Sequence, residues 1–504
     1  PLFYKEGVSH SPFVKGRRKR DFIFYETFKS WFSGNVRHFL VYFIDKIIPK
    51  RGSFMKPDRV VFREYDIRGI VKTQINNEFA FTLGRAFGTK IKNEGLKNCV
   101  VACDNRETSP DLKNHLIDGM MKAGIEVFDA GMIPTPVAYF AQKHYGLDAC
   151  AMVTASHNPP QFNGFKLVLG ETGLHGEQIQ QIADIIEKQD FISGSGSTKT
   201  IQVEQDYIDF MKERFSFSSK MKIGVDTGNG TTGPFVKKLF SSLGIDFVGL
   251  YLESDSSFPH HLPDPVVPEN LVDLIKLVKE QKLDAGFGFD GDGDRIGVIG
   301  SDGSILWGDQ LLIIYGLDIL KTKPGSTIVF DVKCTLALEE EIKKAGGIPL
   351  MWKTGHSLIK AKLMEEKAVL GGELSGHIYF ADQYFGFDDA FYACLRLLRI
   401  MDQTGKKPEQ LLENKKRYYS SPEIRIEVGE EKKYAIVEEL KNFYKQKYNV
   451  SEIDGVKVYF PDGWALARVS NTQPAIVLRV EGKDEKSLEE IKKQFLSKVE
   501  ETIK

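Results

Sequence analysis

The sequence predicts an α/β protein that has three related α/β domains with mixed sheets and a C-terminal α+β domain. A short apolar strand that ends in Asp, followed by a turn and an amphipathic helix, occurs three times, at Asp104, Asp226 and Asp331. These units are roughly one hundred residues apart, which is a common domain size. The last part of the chain differs, because its strand-like segments, such as 456–460 and 475–480, predict a mostly antiparallel sheet.

These patterns divide the chain after its N-terminal extension into four domains. Domain I is predicted over residues 56–200 and domain II over 201–305. Domain III is predicted over 306–416, and the C-terminal α+β domain over 417–504. The Gly/Ser segment 193–197 is typical of a flexible linker between the first two domains.

The N-terminal extension, residues 1–55, is basic and aromatic, unlike the rest of the chain. Its first 54 residues contain 11 Lys and Arg against 4 Asp and Glu. None of its apolar runs approaches the ~18 residues that a membrane span needs. It also lacks the order of charged, then apolar, then small residues that marks a secretory signal. We interpret it as non-native or disordered, either an over-extended reading frame or a dispensable arm. A basic amphipathic segment on a membrane surface is the alternative.

The net charge and the cysteine content limit which partners and which compartment the sequence favours. The formal net charge is -1, so nothing global favours nucleic acid or membrane as a partner. The five cysteines form no CxxC pair and are typical of reduced thiols in a cytoplasmic protein. We expect small-molecule partners, no transmembrane segment, and a monomer or weak oligomer.

The most informative stretch runs from Asp290 to Arg295, where Asp290, Asp292 and Asp294 alternate with glycines. Three carboxylates this close repel one another, and the glycines let the backbone curl so that their oxygens converge. Oxygen ligands of this kind favour a hard divalent cation such as Mg²⁺. Arg295 is suited to holding an anionic group, which indicates phosphate chemistry.

The same stretch contains a misleading pattern. Residues 286–291 match the G-x-G-x-x-G dinucleotide pattern, which should open a helix after a strand. The following residues 296–299 instead predict a second short strand. We therefore expect a strand–turn–strand that holds a metal, and we reject nucleotide binding.

Ser156 is the candidate nucleophile. It follows the apolar run 149–153, and a serine where a strand enters a loop is well placed to present its hydroxyl. No Ser-His-Asp triad is predicted, because His157 is adjacent in sequence and need not face Ser156. Alone, the segment would equally suit a polar turn. Beside a triple-aspartate metal site, a serine that carries a phosphoryl group is the sharper interpretation.

Two further loops give weaker signals. The stretch 371–377 offers the carboxylate of Glu373, a hydroxyl and an imidazole, which suit hydrogen bonding to vicinal sugar hydroxyls. The stretch 468–474 clusters a guanidinium, two hydroxyls and an amide before a strand, as an anion-binding loop does. A plain loop and an Asx-rich turn remain open as alternatives.

Taken in order, the serine, DGDGDR, GELSGH and RVSNTQP loops resemble those of the α-D-phosphohexomutase family, in particular its bacterial phosphomannomutase/phosphoglucomutase branch. The resemblance covers residues 56–504, and it implies that the four domains are arranged around a central cleft. Other matching stretches are 65–69, 163–166, 331–335 and 353–357.

The resemblance implies a resting phosphoserine at Ser156 that passes its phosphoryl group to a hexose 1-phosphate. The resulting hexose 1,6-bisphosphate, which is both intermediate and activator, then reorients and returns its other phosphoryl group to Ser156. Mg²⁺ is implied as the cofactor, held by Ser156, Asp290, Asp292 and Asp294. The implied catalytic residues are Ser156, Lys166, His356, Arg68 and Arg295. The implied substrate-binding residues are Tyr65, His157, Lys333, Glu373, Ser375, His377, Arg468, Ser470, Asn471 and Thr472.

The expected substrates are mannose and glucose phosphates. Mannose and glucose are epimers at C2. A site that contacts sugar O3 and O4 but not the C2 hydroxyl would therefore accept both sugars. The family branch that acts on glucosamine phosphate carries glutamine and glycine where this chain has Leu374 and Asn471. A phosphoglucosamine mutase and a metal-dependent sugar phosphatase are the enzymatic alternatives. An inactive sugar-phosphate-binding protein is the non-enzymatic one.

Overall fold

The computed structural model describes residues 57–470 and 474–504. These residues form three α/β units, each with a mixed sheet, and a C-terminal α+β unit. The predicted fold class is therefore confirmed. The predictions for the N-terminal extension and for Asn471 and Thr472 lie outside the described residues.

Domain I is built on a seven-stranded sheet in the order β1-β5-β4-β2-β3-β7, with β6 paired to β5. Strands β4, β2, β3 and β7 are parallel, whereas β1, β5 and β6 pair antiparallel. The strands are β1 Ile67–Ile70, β2 Asn98–Cys103, β3 Glu126–Met132, β4 Ala149–Val153, β5 Phe162–Leu169, β6 Thr172–Gly173 and β7 Ser197–Thr200. The helices are α1 Asn77–Asn93, α2 Ser109–Lys122, α3 Thr135–His144 and α4 Glu177–Lys188.

The Gly/Ser segment 193–197 is not a free linker. Gly194 N donates to Lys122 O (2.8 Å) and Gly196 N donates to Met121 O (2.8 Å). A Cβ on Gly194 would come within 2.8 Å of the Gly124 Cα, so the small residues permit close backbone contact. The prediction of a flexible connection was wrong, because these glycines bind the chain to domain I.

Domain II has the strand order β12-β11-β10-β8-β9, in which β10, β8 and β9 are parallel. The predicted boundary at residue 305 divides strand β12, which pairs with β11, so this sheet extends through Leu306. The strands are β8 Lys222–Asp226, β9 Asp246–Leu250, β10 Ala285–Phe289, β11 Ile296–Gly300 and β12 Ile305–Leu306. Helix α5 Glu204–Lys212 precedes this sheet, and α6 Thr232–Leu243 and α7 Val272–Gln281 pack on it.

Domain III has the strand order β14-β13-β15-β16, with only β16 antiparallel. Its strands are β13 Thr327–Asp331, β14 Ile348–Trp352, β15 Leu370–Gly372 and β16 Ile378–Phe380. Its helices are α8 Gly308–Leu320, α9 Leu336–Lys344, α10 His356–Glu365 and α11 Ala390–Thr404. One apolar core continues through domains I, II and III, because buried residues of all three pack into a single cluster.

The C-terminal domain is an antiparallel sheet in the order β17-β22-β21-β20-β19, with β18 also paired to β22. Its strands are β17 Tyr419–Ser420, β18 Ile424–Glu427, β19 Asn449–Ser451, β20 Val456–Phe460, β21 Gly463–Val469 and β22 Ala475–Gly482. Helices α12 Lys432–Lys445 and α13 Glu485–Ile503 cover it and share a separate core. Within the described ranges, every helix is too short or too polar to span a bilayer.

The three repeated aspartates play matching parts at the ends of their strands. Asp104 accepts from the Ser109 hydroxyl (2.5 Å), and Asp226 accepts from Gly228 N (2.9 Å). Asp331 accepts from the Cys334 thiol in the turn after β13 (3.0 Å) and also from the Thr354 hydroxyl (3.0 Å). Each carboxylate therefore fixes the turn after a parallel strand, at the sheet edge where α/β proteins bind ligands.

Candidate active site

One cavity of about 1320 Å³ is lined by residues of all four domains. It is the central cleft that the fold class predicted. Thirteen of the predicted site residues line it, and they are Tyr65, Arg68, Ser156, His157, Lys166, Arg295, Lys333, His356, Glu373, Ser375, His377, Arg468 and Ser470. The structure therefore brings these residues together around one space.

The three aspartates lie beneath this cavity in the turn between the antiparallel strands β10 and β11. All three are completely buried, and one carboxylate oxygen from each lies within 4.8 Å of the other two. Asp290 Oδ1 accepts from the backbone N of Gly293 (2.9 Å) and Arg295 (3.1 Å), which fixes the turn. The Oδ1 atoms of Asp292 and Asp294 are buried without a hydrogen-bond partner. Three buried carboxylates that converge in this way, with two of their oxygens unpartnered, suit a hard divalent cation.

Lys166, from β5, lies between two of these carboxylates. Its Nζ is 2.8 Å from Asp292 Oδ2 and also bonds Asp294 Oδ2. Burial alone would lower the pKa of Lys166, but the two carboxylates outweigh it and raise that pKa well above its ordinary value. Burial and the other two carboxylates raise the pKa of Asp290 well above its ordinary value. The ammonium of Lys166 and the guanidinium of Arg295 therefore carry less charge together than the three buried carboxylates.

Ser156 connects the cavity to the aspartates. Its Oγ donates to Asp290 Oδ2 (2.7 Å) and lies 3.0 Å from His157 Nδ1. His157 therefore does face Ser156, and its Nε2 lies 3.9 Å from Asp264 Oδ2. Burial, together with the cations Arg295 and Arg68, lowers the pKa of His157 well below its ordinary value. The neutral imidazole can donate or accept a hydrogen bond beside the serine.

His377 is held between an anion and a cation. Arg295 Nε donates to His377 Nε2 (3.0 Å), so the ring proton is on Nδ1, which lies 2.9 Å from Asp388 Oδ2. The same Nδ1 is 3.6 Å from Asp294 Oδ1. This arrangement fixes the orientation of His377 and directs Arg295 towards the rim of the aspartate cluster.

The loop that carries His356 is tied to the predicted sugar loop. Glu373 Oε1 accepts from Gly355 N (2.6 Å), and His356 packs edge-on against Tyr65, with ring centroids 4.9 Å apart. Burial lowers the pKa of His356 well below its ordinary value, and burial raises the pKa of Glu373 above its ordinary value. A neutral imidazole and the free oxygen of Glu373 therefore face the same cavity.

The predicted phosphate loop is joined to the same region. Arg468 Nε donates to Asp454 Oδ2 (2.8 Å), which also accepts from Thr354 N (3.0 Å). Lys333 Nζ lies 3.8 Å from Asp331 Oδ2 and 3.6 Å from a carboxylate oxygen of Glu423. Burial opposes the charge of Lys333, but these carboxylates outweigh it and raise its pKa. Two cations, Lys333 and Arg468, thus line the cavity on the side of the last domain.

Several residues of the site were missed at the level of sequence. Thr135, which begins helix α3, donates its hydroxyl to Asp292 Oδ2 (2.6 Å). Asp264 lies 3.9 Å from both His157 and Arg295, and Asp388 faces His377. Arg106 underlies the serine loop. No local motif marks these residues, although Arg106 closely follows a repeated strand-ending aspartate and could have been singled out for that reason.

Four family models match this chain. Models described as "Phosphoglucomutase/phosphomannomutase, alpha/beta/alpha domain I", "domain II" and "domain III" match residues 59–193, 205–303 and 307–418, respectively. The model described as "Phosphoglucomutase/phosphomannomutase, C-terminal domain" matches residues 423–498. The matched domains follow one another in the order of the four sheets.

Curated proteins and solved structures match over nearly the same length. The chain is 43% identical to a phosphomannomutase/phosphoglucomutase of Pseudomonas aeruginosa over 436 residues, which is 86% of this chain and 94% of that protein. It is 39% identical to a phosphoglucomutase of Neisseria gonorrhoeae over 447 residues, 88% of this chain and 97% of that protein. A crystal structure of a phosphoglucomutase/phosphomannomutase family protein from Burkholderia thailandensis has a TM-score of 0.84 and 40% identity, covering 88% of this chain and 98% of that one.

Matches to all four domain models, together with this identity over most of the chain, show that it belongs to the phosphoglucomutase/phosphomannomutase family.

Proposed function

We propose that this protein is a phosphohexomutase that interconverts the 1- and 6-phosphates of mannose and glucose. The observation that carries the proposal is the single cavity that joins Ser156 to Glu373, Arg468 and Ser470. Moving a phosphoryl group between two ends of one sugar requires a transfer centre, a sugar site and a second phosphate site. The cavity offers a candidate for each, and the names of the relatives support the same reaction.

The residues fit a divalent cation, for which we propose Mg²⁺. Asp290, Asp292 and Asp294, with an oxygen of phosphorylated Ser156, would hold it, because one oxygen of each aspartate converges on the others and the three carboxylates carry more charge than Lys166 and Arg295 together. When bound, the cation would withdraw negative charge from the phosphoryl group during transfer.

The first transfer begins from the phosphoserine. The free 6-hydroxyl of a hexose 1-phosphate attacks the phosphorus, the bond to Ser156 Oγ breaks, and the new P–O6 bond gives the 1,6-bisphosphate. The hydroxyl proton must leave as the bond forms, and the neutral imidazole of His356 is our candidate to accept it. Lys166 stays protonated between two carboxylates, so we assign it to stabilising charge as Ser156 Oγ departs.

The second transfer runs through the same residues after the bisphosphate has turned. Ser156 Oγ attacks the phosphorus on O1, the P–O1 bond breaks, O1 takes the proton that His356 accepted in the first transfer, and a hexose 6-phosphate leaves the regenerated phosphoserine. Arg468 and Ser470, with Asn471 and Thr472, would hold whichever phosphate is distal. Glu373 and Ser375 would bind sugar O3 and O4 in both orientations. Tyr65, Arg68, His157, Arg295, Lys333 and His377 complete the proposed contacts to substrate.

The same features weigh against the alternatives. A phosphatase has no need of a second phosphate site, whereas this cavity, lined by four domains, carries cations on the side of the C-terminal domain. Leu374 and Asn471 disfavour a glucosamine phosphate. Since one chain supplies every proposed residue, a monomer suffices. The five cysteines are buried and unpaired, in keeping with the reducing cytoplasm.

A coupled mutase assay on the full chain tests the proposal. It would use Mg²⁺ and a trace of glucose 1,6-bisphosphate, with mannose, glucose and glucosamine 1-phosphates offered separately. Ser156→Ala should abolish turnover, whereas Ser218→Ala, which removes a surface hydroxyl bonded to Asp402, should not. Preference for glucosamine phosphate would overturn the specificity but keep the mechanism. Free phosphate without 6-phosphate product would establish a phosphatase instead.

A further inference from the structure

We infer that Arg106 is the positioning residue that holds the serine loop, residues 154–162, in the conformation needed for phosphoryl transfer. The inference rests on the proposed mutase function, because it concerns where Ser156 Oγ points. Arg106 lies on the turn after β2 and is only 2% exposed. It is not one of the residues that the family resemblance implied.

The guanidinium of Arg106 is surrounded by backbone carbonyl oxygens of the serine loop. Its Nη2 donates to Ser156 O (2.8 Å) and Asn158 O (2.5 Å). Its Nη1 donates to Pro159 O (2.9 Å) and Phe162 O (3.0 Å). Four carbonyl oxygens of one loop therefore point inward at a single cation.

The Nε donor and one face of the Arg106 guanidinium also have partners. Arg106 Nε bonds Asp104 Oδ2 (3.2 Å), and the ring of Phe258, from domain II, lies 5.3 Å from the guanidinium carbon. Asp104 also accepts from Arg106 N (3.1 Å) and from the Ser109 hydroxyl (2.5 Å), so its own position is fixed. Arg106 thus has one rigid orientation, with every nitrogen of its guanidinium bonded.

The loop needs this cation for two physical reasons. Carbonyl dipoles that converge repel one another, and a buried carbonyl without a donor is destabilising. Ser156 also has a φ of 51°, in the left-handed region that is unfavourable for a non-glycine residue. Bonds from Arg106 to the carbonyls of Ser156 and Asn158 hold the backbone on both sides of His157 in this strained form.

The strained backbone decides the direction of Ser156 Oγ. In this conformation Oγ meets Asp290 Oδ2 at 2.7 Å and His157 Nδ1 at 3.0 Å. Relaxation of φ would rotate Oγ away from both. The sugar and distal-phosphate loops belong to domain III and the C-terminal domain and make no use of Arg106 in the contacts described above. Because the serine loop supplies only His157 to the proposed substrate contacts, loss of Arg106 should lower kcat much more than it changes the KM for hexose phosphate.

The experiment compares Arg106→Lys with a matched variant, Arg396→Lys, in the full chain. Arg396 is equally buried, and its partners Asp382 and Phe380 are both in domain III. Lysine keeps the charge at position 106 but cannot reach four carbonyls at once. The measurements are kcat and KM per folded enzyme, the phosphorylated fraction of Ser156 after incubation with glucose 1,6-bisphosphate, and amide hydrogen exchange of residues 154–163.

For Arg106→Lys we expect kcat to fall about 100-fold, since a displacement of about 1 Å costs that much, with KM changed by less than about threefold. Phosphorylation of Ser156 should slow, and exchange of 154–163 should rise. Arg396→Lys should show none of these changes beyond a lower Tm. Equal exchange of 154–163 and equal kcat in wild type and Arg106→Lys would overturn the inference.

Two further results keep the inference distinct from the proposed function. If the wild type has no mutase activity, the proposed function fails. Amide hydrogen exchange of residues 154–163 would still test whether Arg106 fixes the conformation of the serine loop. If Arg106→Lys does not fold, Asp104→Asn is used in its place. The asparagine amide weakens the bond to Arg106 Nε but leaves the four bonds from Arg106 to the carbonyls of the serine loop. We expect kcat to fall in that variant, more weakly, at constant KM. Unchanged kcat and exchange in Asp104→Asn would count against the inference.

Discussion

Replacing Lys166 by Met separates two roles of its ammonium. The side chain is 4% exposed, and its Nζ contacts carboxylates of Asp292 and Asp294. Methionine matches the length of the aliphatic chain but removes the ammonium that bonds two of the three buried aspartates. We expect this variant to be less stable without Mg²⁺, to bind Mg²⁺ more tightly, and to transfer phosphoryl groups poorly.

The stability loss follows from the burial of the pair. Removing one partner of a buried ion pair costs about 3–5 kcal/mol, because the other charge remains buried. A change of 1 kcal/mol shifts the Tm of a domain of 150–250 residues by roughly 2–4 °C, so we expect a fall on the order of 10 °C in EDTA. In saturating Mg²⁺ the fall should be smaller, since the cation supplies the missing charge.

Tighter binding of Mg²⁺ follows from the loss of a competing cation. Two unit charges about 4 Å apart at an effective dielectric constant near 20 interact by about 4 kcal/mol. Solvent that enters the cavity reduces this repulsion, and we expect at least about 1.4 kcal/mol to remain, or about tenfold in Kd. Loss of the ammonium should lower kcat by about 100- to 1000-fold, because its proposed role is to stabilise the departing serine oxygen.

The assay is a thermal melt at a series of Mg²⁺ concentrations, with kcat measured at saturating Mg²⁺. Lys113→Met is the matched control, because Lys113 is also buried and pairs with a carboxylate of domain I, Asp129 (2.5 Å), away from the aspartate cluster. It should lower Tm equally with and without Mg²⁺. If Mg²⁺ raises the Tm of Lys166→Met no more than that of the wild type, the reasoning about charge balance is refuted.

Three further changes test other parts of the site. Burial lowers the pKa of Lys360 to about 8 among the rings of Tyr139 and Phe387, while an unfolded lysine titrates near 10.5. Stability should therefore rise between pH 8 and 10.5, by up to about 3 kcal/mol, and Lys360→Met should flatten that part of the Tm–pH curve. Asp388→Asn places an amide beside His377 Nδ1, which moves the ring proton to Nε2 and opposes Arg295. Its kcat/KM should fall about tenfold with little change in Tm, and an unchanged value would argue against the assigned tautomer. Ser470→Ala should raise KM for both hexose 1-phosphates by about tenfold at nearly constant kcat, whereas a lower kcat alone would place Ser470 at the transfer centre.

Sequence was sufficient where the chemistry is local. The three aspartates converge because glycines separate them within one turn. The apolar runs that end at Asp104, Asp226 and Asp331 mark the repeated α/β unit through their residue pattern alone. The family resemblance, rather than composition or spacing, supplied Lys166 and the other distant members of the site.

The sequence did not predict features of the site that depend on the direction of a side chain or on contact between segments far apart in the chain. His157 faces Ser156 only because the serine backbone has a φ of 51°, which no residue type requires at that position. Arg106, Thr135 and Asp388 are ordinary residues until chain segments far apart come together. The prediction of a flexible linker at the Gly/Ser segment 193–197 was wrong for a related reason. Its small residues permit close contact between backbones, which the residue pattern alone does not show.

Two sets of hydrogen bonds mark a proposed transfer half and a proposed recognition half of the site, which the bond from Arg295 to His377 connects. Thr135 donates to Asp292 and Ser156 donates to Asp290, so domains I and II are bonded to each other at the transfer centre. On the opposite side, Asp454 of the last domain bonds Thr354 of domain III, in the loop that also carries His356.

A reaction that treats both ends of a bisphosphate alike benefits from this division. In the proposed reaction the transfer half would keep one geometry for both chemical steps, so neither step would require the catalytic groups to move. Because the recognition half is bonded between domain III and the C-terminal domain, a movement that releases the distal phosphate would also move the loop of His356. Release of the intermediate would thereby be coupled to withdrawal of the proposed proton acceptor while Ser156 carries no phosphoryl group and the bisphosphate turns.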